Sequence, residues 1–468
     1  MRIEHLKIEN FHCYREAEFD FASQTTVFIG KNGTGKSSMI KALCNALSFI
    51  FNKSNNSWGY SSLANEVSDL GVERINVREI YHNGKIADYV SIMGVASMSS
   101  SKEEKYQDAE PLILKWDFRR NSYEKATIQS SLYKDAYIKF RNHIELTDQY
   151  PLLVYYSDRY PHINTSLGTN AKAMLNEDDE ISRTWGYYHW NEFSSCSEIW
   201  QKRFIRISNQ LISIDRSLNE AKDDGARGTL LKQKKNIVNE IEYVVGYLKS
   251  FTDNSIEGLS DRNGDFKISS ISVDGVTDFY IKFTFADGIQ RAWDELPAGL
   301  ERLFSIVFDM AYRSYILNRG ESMPKGLALI DEVDLHLHPS LQQDVLLRLT
   351  KTFPEVQFIV TTHSPLVITN LRQNEENKVI RMERKGNEYS HSTIGNLFLH
   401  DYAYTLYEIM QTSPRNFILD SLSERYLRLK RREKEREAEE VLNQLRKLVG
   451  EADFPTLYHQ LESDLNKG

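Results

Sequence analysis

Gly30-Lys31-Asn32-Gly33-Thr34-Gly35-Lys36-Ser37 places three glycines, a lysine and a terminal hydroxyl at the spacing of a phosphate-binding P-loop. Such glycines let backbone N–H groups curl around β- and γ-phosphates at the positive end of a helix. Lys36 is spaced to reach the phosphate oxygens and the Ser37 hydroxyl to ligate Mg²⁺. Ser38, which opens the following helical run, completes the expected nucleotide-contact set.

Two further apolar runs end in reactive groups. Leu327-Ala328-Leu329-Ile330 delivers Asp331 and Glu332, one acid for the magnesium shell and one to act as general base on a water. Val356 to Thr362 delivers His363, in the position of a γ-phosphate sensor. ATP with Mg²⁺ is the cofactor pair this chemistry requires.

These residues need strands that end together and a helix that starts at once. Ile3, Leu6 and Ile8 alternate as a strand, Thr25 to Ile29 form a second, and Ser38 to Phe51 repeat apolar residues at helical spacing. From about 52 to 135, short extended runs at Arg74 to Tyr81, Tyr89 to Met98 and Leu112 to Arg119 predict an antiparallel β-lobe with a mobile tip around Ser99 to Lys105. Leu152 to Tyr156 reads as a strand ending in the turn Ser157-Asp158-Arg159. Ile207, Leu211, Ile214 and Leu218, then Ile237, Ile241, Val244 and Leu248, predict a helical hairpin broken at Asp223-Asp224-Gly225. Strands follow at Phe266 to Val273 and Phe279 to Phe285, then a helix from Pro297 to Leu317, the Leu327 strand, a helix from Pro339 and the Val356 strand. This order implies an α/β fold. The expected regions are 1–195, the hairpin insertion 196–252, 253–399, and a helical region 400–468.

Composition bounds the function classes. The 468 residues carry 58 basic and 66 acidic side chains, a formal charge of −8, so nucleic acid could be met only at a local patch. Cys13, Cys44 and Cys196 form no CxxC pair, which argues against a zinc site or a disulfide framework. The start of the chain has no signal-peptide pattern and no apolar run is long enough to span a bilayer, so a cytoplasmic protein off the membrane is expected.

Together these elements resemble the ABC-type ATPase heads of the RecF, SMC and OLD families rather than a RecA-like or AAA+ ring. The resemblance covers 1–51 and about 290–371, including Ile8-Glu9-Asn10-Phe11 and the phrase from Asp331 to Pro339. It implies a head that pairs with a second copy around ATP, with the family's signature motif at Leu296-Pro297-Ala298-Gly299-Leu300-Glu301-Arg302. Pro297, Ala298 and Gly299 would then contact the partner's nucleotide. Pro297 replaces the family's usual serine, which implies slow turnover. Arg159 is the candidate for the family's Q-loop position.

The tail, with Arg425, Arg428, Lys430, Arg431, Arg432, Lys434 and Arg436 among glutamates, reads as a solvated helix knitted by pairs such as Arg431 with Glu435, followed by a Leu442, Leu445, Leu448 packing stripe. No Asp-x-Asp pair follows His363, so an OLD-type nuclease is not expected in this chain. Taken whole, the chain is similar to the PtuA-type ATPases of the anti-phage Septu systems, which implies an oligomer that regulates a separate HNH-type nuclease. A RecF-like DNA-repair clamp and an AriA-like scaffold that sequesters a toxin are the alternatives.

Overall fold

The computed structural model describes residues 1–51, 75–81, 85–99, 111–121, 128–158, 181–191, 196–221, 223–253, 266–275, 277–395, 397–398, 400, 402–410 and 416–466. They fall into two compact units, Met1–Leu399 and His400–Gly468. Arg159 and most of the expected β-lobe tip lie outside the described residues.

Strand β1 (Arg2–Phe11) buries Ile3, Leu6, Ile8 and Phe11; Leu6 and Ile8 keep the two-residue period of a strand face, which a register shift between Ile3 and His5 and the positive φ of Asn10 interrupt on either side. It pairs antiparallel with β2 (Tyr14–Asp20). Next come β3 (Thr25–Ile29), fully buried, and α1 (Lys36–Leu47), extended by a tighter 3₁₀ turn over Ser48–Phe51. Strands β4 (Tyr89–Met98), β5 (Leu112–Asn121) and β6 (Ile128–Gln129) complete an antiparallel five-stranded sheet in the order β2-β1-β4-β5-β6. Gly94 sits opposite Trp116, and a Cβ there would lie 2.2 Å from the indole, so only glycine leaves room for the ring. The expected extended run Arg74 to Tyr81 is corrected: Val77–Glu79 is a 3₁₀ turn, joined to the sheet by a single bridge between Phe11 and Ile80. Helix α2 (Ser131–Thr147), which the sequence reading missed, starts where the Ser130 hydroxyl accepts from the Tyr133 N–H.

After β7 (Leu152–Tyr156), α3 (Cys196–Glu220) and α4 (Asp224–Thr252) form the helical hairpin. Its seam is Ile207, Ile214 and Ile237, and the second arm starts where Asp223 accepts from the Ala226 N–H at 2.8 Å. Strands β8 (Ile268–Asp274), β9 (Tyr280–Phe285) and β10 (Gln290–Ala292) make a small antiparallel sheet, and α5 (Ala298–Asn318) follows. The rest of the unit comprises β11 (Gly326–Ile330), α6 (Pro339–Gln342), α7 (Val345–Thr352), β12 (Val356–Thr362), α8 (Pro365–Thr369), β13 (Asn377–Lys385) and β14 (Glu388–Thr393). The helix expected from Pro339 is thus two pieces, broken at Gln343-Asp344.

The main sheet runs β14-β13-β3-β12-β11-β7, parallel except for its edge strand β14. Strand β12 lies between β3 and β11, with Thr362 opposite Ile29 and Val360 opposite Ile330. Three carboxyl-terminal strand ends therefore meet on one edge of the sheet, where open α/β sheets bind ligands.

The second unit packs α9 (Phe417–Arg431), α10 (Glu435–Val449) and α11 (Phe454–Asn466) around Tyr426, Ala438, Val441, Leu445, Leu457 and Leu461. The charged run is not one helix, because Glu433 at φ 58° breaks it between Arg431 and Glu435. The expected Arg431–Glu435 pair is replaced by Lys430–Glu435 at 2.6 Å. Of the leucine stripe, Leu445 is buried, whereas Leu448 is exposed.

Candidate functional site

Strand β3 ends at Ile29 and the chain turns through Gly30, Gly33 and Gly35, all at positive φ (155°, 77° and 97°). A Cβ on Gly30 would stand 2.4 Å from the Met382 carbonyl oxygen, and one on Gly35 would stand 2.5 Å from the Tyr14 hydroxyl. Glycine is thus imposed both by dihedral and by contact. The Tyr14 hydroxyl donates to Gly35 O (2.9 Å) and Thr34 Oγ1 donates to Lys31 O (2.8 Å), fixing the loop just before α1 begins. Lys36 Nζ donates to Gly30 O (2.8 Å) and Lys31 O (3.2 Å), so a cation lies inside its own cradle. Burial lowers its pKa, and the carboxylates of Asp331, Glu332 and Asp334 work against that shift.

Opposite the loop, β11 presents Asp331 and Glu332 across a cavity of about 290 Å³ lined by Asn32 to Ser38, Asp331, Glu332 and His363. One β12 side chain organises both acids: the Thr361 hydroxyl donates to Asp331 Oδ1, and Thr361 Oγ1 accepts from the Glu332 N–H at 2.8 Å. Glu332 sits at φ 52°, a left-handed conformation that costs a non-glycine residue on the order of 1–3 kcal/mol and is found preferentially at functional sites. Burial pushes its pKa up, followed by the negative charges of Asp331, Asp158 and Asp334, with Lys36 opposing. A raised pKa makes a carboxylate a stronger base at neutral pH. His363 Nε2 lies 4.0 Å from Glu332 Oε1, and burial, then the Lys36 charge, lower its pKa. The Asp334 carboxylate holds the turn before His363 by accepting from Thr362 Oγ1 (2.5 Å) and the His363 N–H (3.3 Å).

Ser37 and Asp331 offer a hydroxyl and a carboxylate to the same cavity. That all-oxygen pair fits a magnesium ion shared with substrate phosphates, which needs only one or two protein ligands. Among the described residues there is no group of three or more His, Cys, Asp or Glu side chains able to hold a metal.

Of the residues expected from the sequence, the cavity gathers Asn32 to Ser38, Asp331, Glu332 and His363, with Gly30 and Lys31 at the base of the loop. Pro297, Ala298 and Gly299 do not line it. Pro297 and Ala298 are exposed at the start of α5, and Gly299 is buried, where a Cβ would stand 2.5 Å from the His336 carbonyl oxygen. The close approach that Gly299 permits is therefore made to the loop after Glu332 in its own chain.

Arg302, at the end of the same motif, is almost wholly buried. Nη1 donates to Ser157 O (3.1 Å) and Asp158 O (3.3 Å), and Nη2 to Asp331 O (2.9 Å) and Glu332 O (3.3 Å). It ties α5 to both turns flanking β11 and β7. Sequence reading assigns no role to Arg302 or to Thr361, because their partners lie far away along the chain. It also missed a cavity of about 370 Å³ beside the loop, lined by Tyr14, Glu18, Met382, Tyr389 and His391 among others, with the Tyr14 and Tyr389 rings 5.9 Å apart.

The sequence model of the AAA ATPase domain family matches residues 1–368. The chain is 24% identical over 414 residues to the retron Vc95 probable ATPase of Vibrio cholerae serotype O1 biovar El Tor, covering 81% of this chain and 73% of that protein. It is 31% identical over 106 residues to the Septu protein PtuA of Bacillus mycoides (strain KBAB4), which covers 22% of this chain and 14% of PtuA. Among solved structures, the Smc head domain of Pyrococcus furiosus bound to the C-terminal domain of ScpA aligns with TM-score 0.44 and 16% identity, over 84% of this chain and 96% of that one.

Proposed function

The chain belongs to the AAA ATPase domain family, and from that premise we propose that it hydrolyses ATP slowly across a pair of identical heads and thereby controls a separate effector nuclease in anti-phage defence. The observation that carries this reading is the split of the nucleotide machinery. The phosphate loop, both acids and the histidine share one cavity, whereas Pro297 and Ala298 stand exposed outside it at the start of a helix. A second copy can offer that helix start, with its positive dipole end, to the first copy's γ-phosphate.

In each half-site the chain's own groups divide the work. Backbone N–H groups of the loop and Lys36 would hold the phosphates, Ser37 and Asp331 would hold magnesium, and Glu332 would take the proton of the attacking water. Magnesium, when bound, neutralises charge on the β- and γ-phosphates. His363 faces the γ-phosphate as a neutral hydrogen-bonding group, consistent with its lowered pKa. The cavity edged by Tyr14 and Tyr389 would seat the nucleotide base against an aromatic wall.

The defence setting draws on the long match to the retron ATPase and the shorter one to PtuA. An HNH-type nuclease as partner is carried by the resemblance to PtuA. The Glu332→Gln chain, followed by light scattering with and without Mg²⁺ and ATP, tests the pairing. ATP is expected to double the mass, and a monomer at saturating ATP overturns the shared site. Plasmid DNA is expected to stay intact with the purified chain and to be cut once the nuclease is added.

A further inference from the structure

Strand β13 runs further than its neighbour. Asn377 to Arg381 pair with Thr25 to Ile29 of β3, and residues 382–385 continue beyond the end of β3, beside the phosphate loop. Strand alternation puts Met382 and Arg384 on one face. A Cβ on Gly30 would lie 3.2 Å from the Met382 Cβ, and one on Gly33 would lie 3.8 Å from Arg384 Nη1, so this face of β13 follows the loop from its base to its middle. Arg381, of the opposite parity, is paired with Glu383 Oε1 at 2.7 Å. Arg384 has no carboxylate partner among the described residues.

The guanidinium is nonetheless held in place. Arg384 Nε donates to Gly386 O (2.8 Å) in the turn between β13 and β14, and Cζ stands 5.5 Å from the centre of the Tyr389 ring, its partner in the antiparallel register. Among the described residues neither Nη nitrogen makes a hydrogen bond. Arg384 lines neither of the two cavities, but it stands beside a wall of each. Tyr389 belongs to the cavity of about 370 Å³ with Tyr14, and Gly33 to the cavity of about 290 Å³ with Lys36 and Asp331. The side chain therefore lies between the seat read for the base and the cradle read for the β- and γ-phosphates.

We propose that Arg384 binds the α-phosphate of the nucleotide held by its own chain; the inference rests on the ATPase reading and extends that site to the β13–β14 hairpin. Between a base and the two terminal phosphates of a nucleoside triphosphate lie only the ribose and the α-phosphate. The ATPase reading directs Lys36 and the loop N–H groups to the β- and γ-phosphates, which leaves the α-phosphate charge without a cation. A guanidinium offers phosphate two parallel N–H donors, and Arg384 has both Nη groups uncommitted. The contact is the same in the ground state and in the transition state of attack at the γ-phosphate, so it contributes to binding and not to the chemical step.

The test is calorimetric titration of ATP and of ADP, each with Mg²⁺, into the full chain carrying Glu332→Gln, with and without Arg384→Ala. Both nucleotides are expected to bind about tenfold more weakly without the guanidinium, because both carry the α-phosphate. Arg384→Lys, which keeps the charge but not the fork, is expected to recover part of the loss. In the Glu332-intact chain, Arg384→Ala should raise KM about tenfold while kcat stays within twofold, a split that a general loosening of the fold does not produce. Arg384 is exposed, so the melting temperature without nucleotide should not move. ATP and ADP affinities within twofold of the parent's overturn the inference, as does a lysine variant no better than alanine. A loss confined to ATP also overturns it, since the guanidinium then acts on the γ-phosphate. Failure of the ATPase reading shows differently and before Arg384 is changed, as ATP binding that is absent from the parent chain or survives Lys36→Ala, and it overturns both.

Discussion

Two helices of the head begin close to the nucleotide machinery, and they begin in opposite ways. Helix α1 starts inside a glycine cradle with its lysine turned back onto loop carbonyls, enclosed with Asp331, Glu332 and His363. Helix α5 starts on exposed Pro297 and Ala298, and its buried Gly299 and Arg302 look inward to His336, Asp331 and Glu332. The first start is built to hold a ligand within the chain. The second is anchored from behind by its own chain and leaves Pro297 and Ala298 exposed. Under the proposed pairing of two copies, the same physics, unsatisfied N–H groups at a helix terminus, would serve a complete site in one place and half of one in the other.

The comparison breaks most visibly at Lys36. Lys36→Ala removes the cation of the cradle, and ATP binding is expected to be abolished with the fold intact, as a fluorescent-nucleotide titration would report. Glu332→Gln should keep ATP bound while slowing hydrolysis by ~10²-fold or more, because an amide cannot accept the water's proton. The base acts when deprotonated, so turnover of the parent chain should fall as pH drops through the raised Glu332 pKa, above the ordinary carboxylate value of 4.5. Steady-state phosphate release across pH checks this, and an unchanged acid limb in the Gln variant assigns the base elsewhere.

The second helix start is tested from behind and from in front. Arg302→Met strips donors from four backbone carbonyls, at a cost on the order of 3 kcal/mol, read from the urea midpoint. Ala298→Glu puts a carboxylate on the exposed end without touching the Gly299 contact. It should weaken ATP-dependent pairing about tenfold by repulsion from the partner's phosphates, while each chain's own ATP affinity stays as it was. Gly299→Asp is the poorer probe, since its Cβ would first collide with His336 of the same chain. The smallest effect is expected in the second unit. Reversing Arg425, Arg428 and Arg432 should leave turnover unchanged, since surface pairs there contribute little.

Legibility followed distance along the chain. The P-loop, the acids after β11 and the hairpin seam could be read because each is written within a few turns of one element. The sequence reading failed where a contact competed with a local pattern. Residues 74 to 81 carry an extended pattern, yet Val77–Glu79 turns, with the Glu79 carbonyl accepting from the His12 N–H at 2.6 Å. Arg431 and Glu435 have ideal helical spacing, but the helix breaks at Glu433 and Lys430 takes the glutamate instead.

The sequence by itself determined the phosphate cradle and its order on the chain, because glycine, lysine and serine at fixed spacing leave one compact geometry for a strand-to-helix turn. It determined the buried β3, β11 and β12 in the same way, by apolar runs too short for helices. Which strands lie side by side was decided by tertiary structure alone, and with it that Thr361 would hold both acids and Arg302 would reach across to their carbonyls. Those bonds join residues 29 to 145 positions apart, and their strength depends on burial that no local pattern encodes.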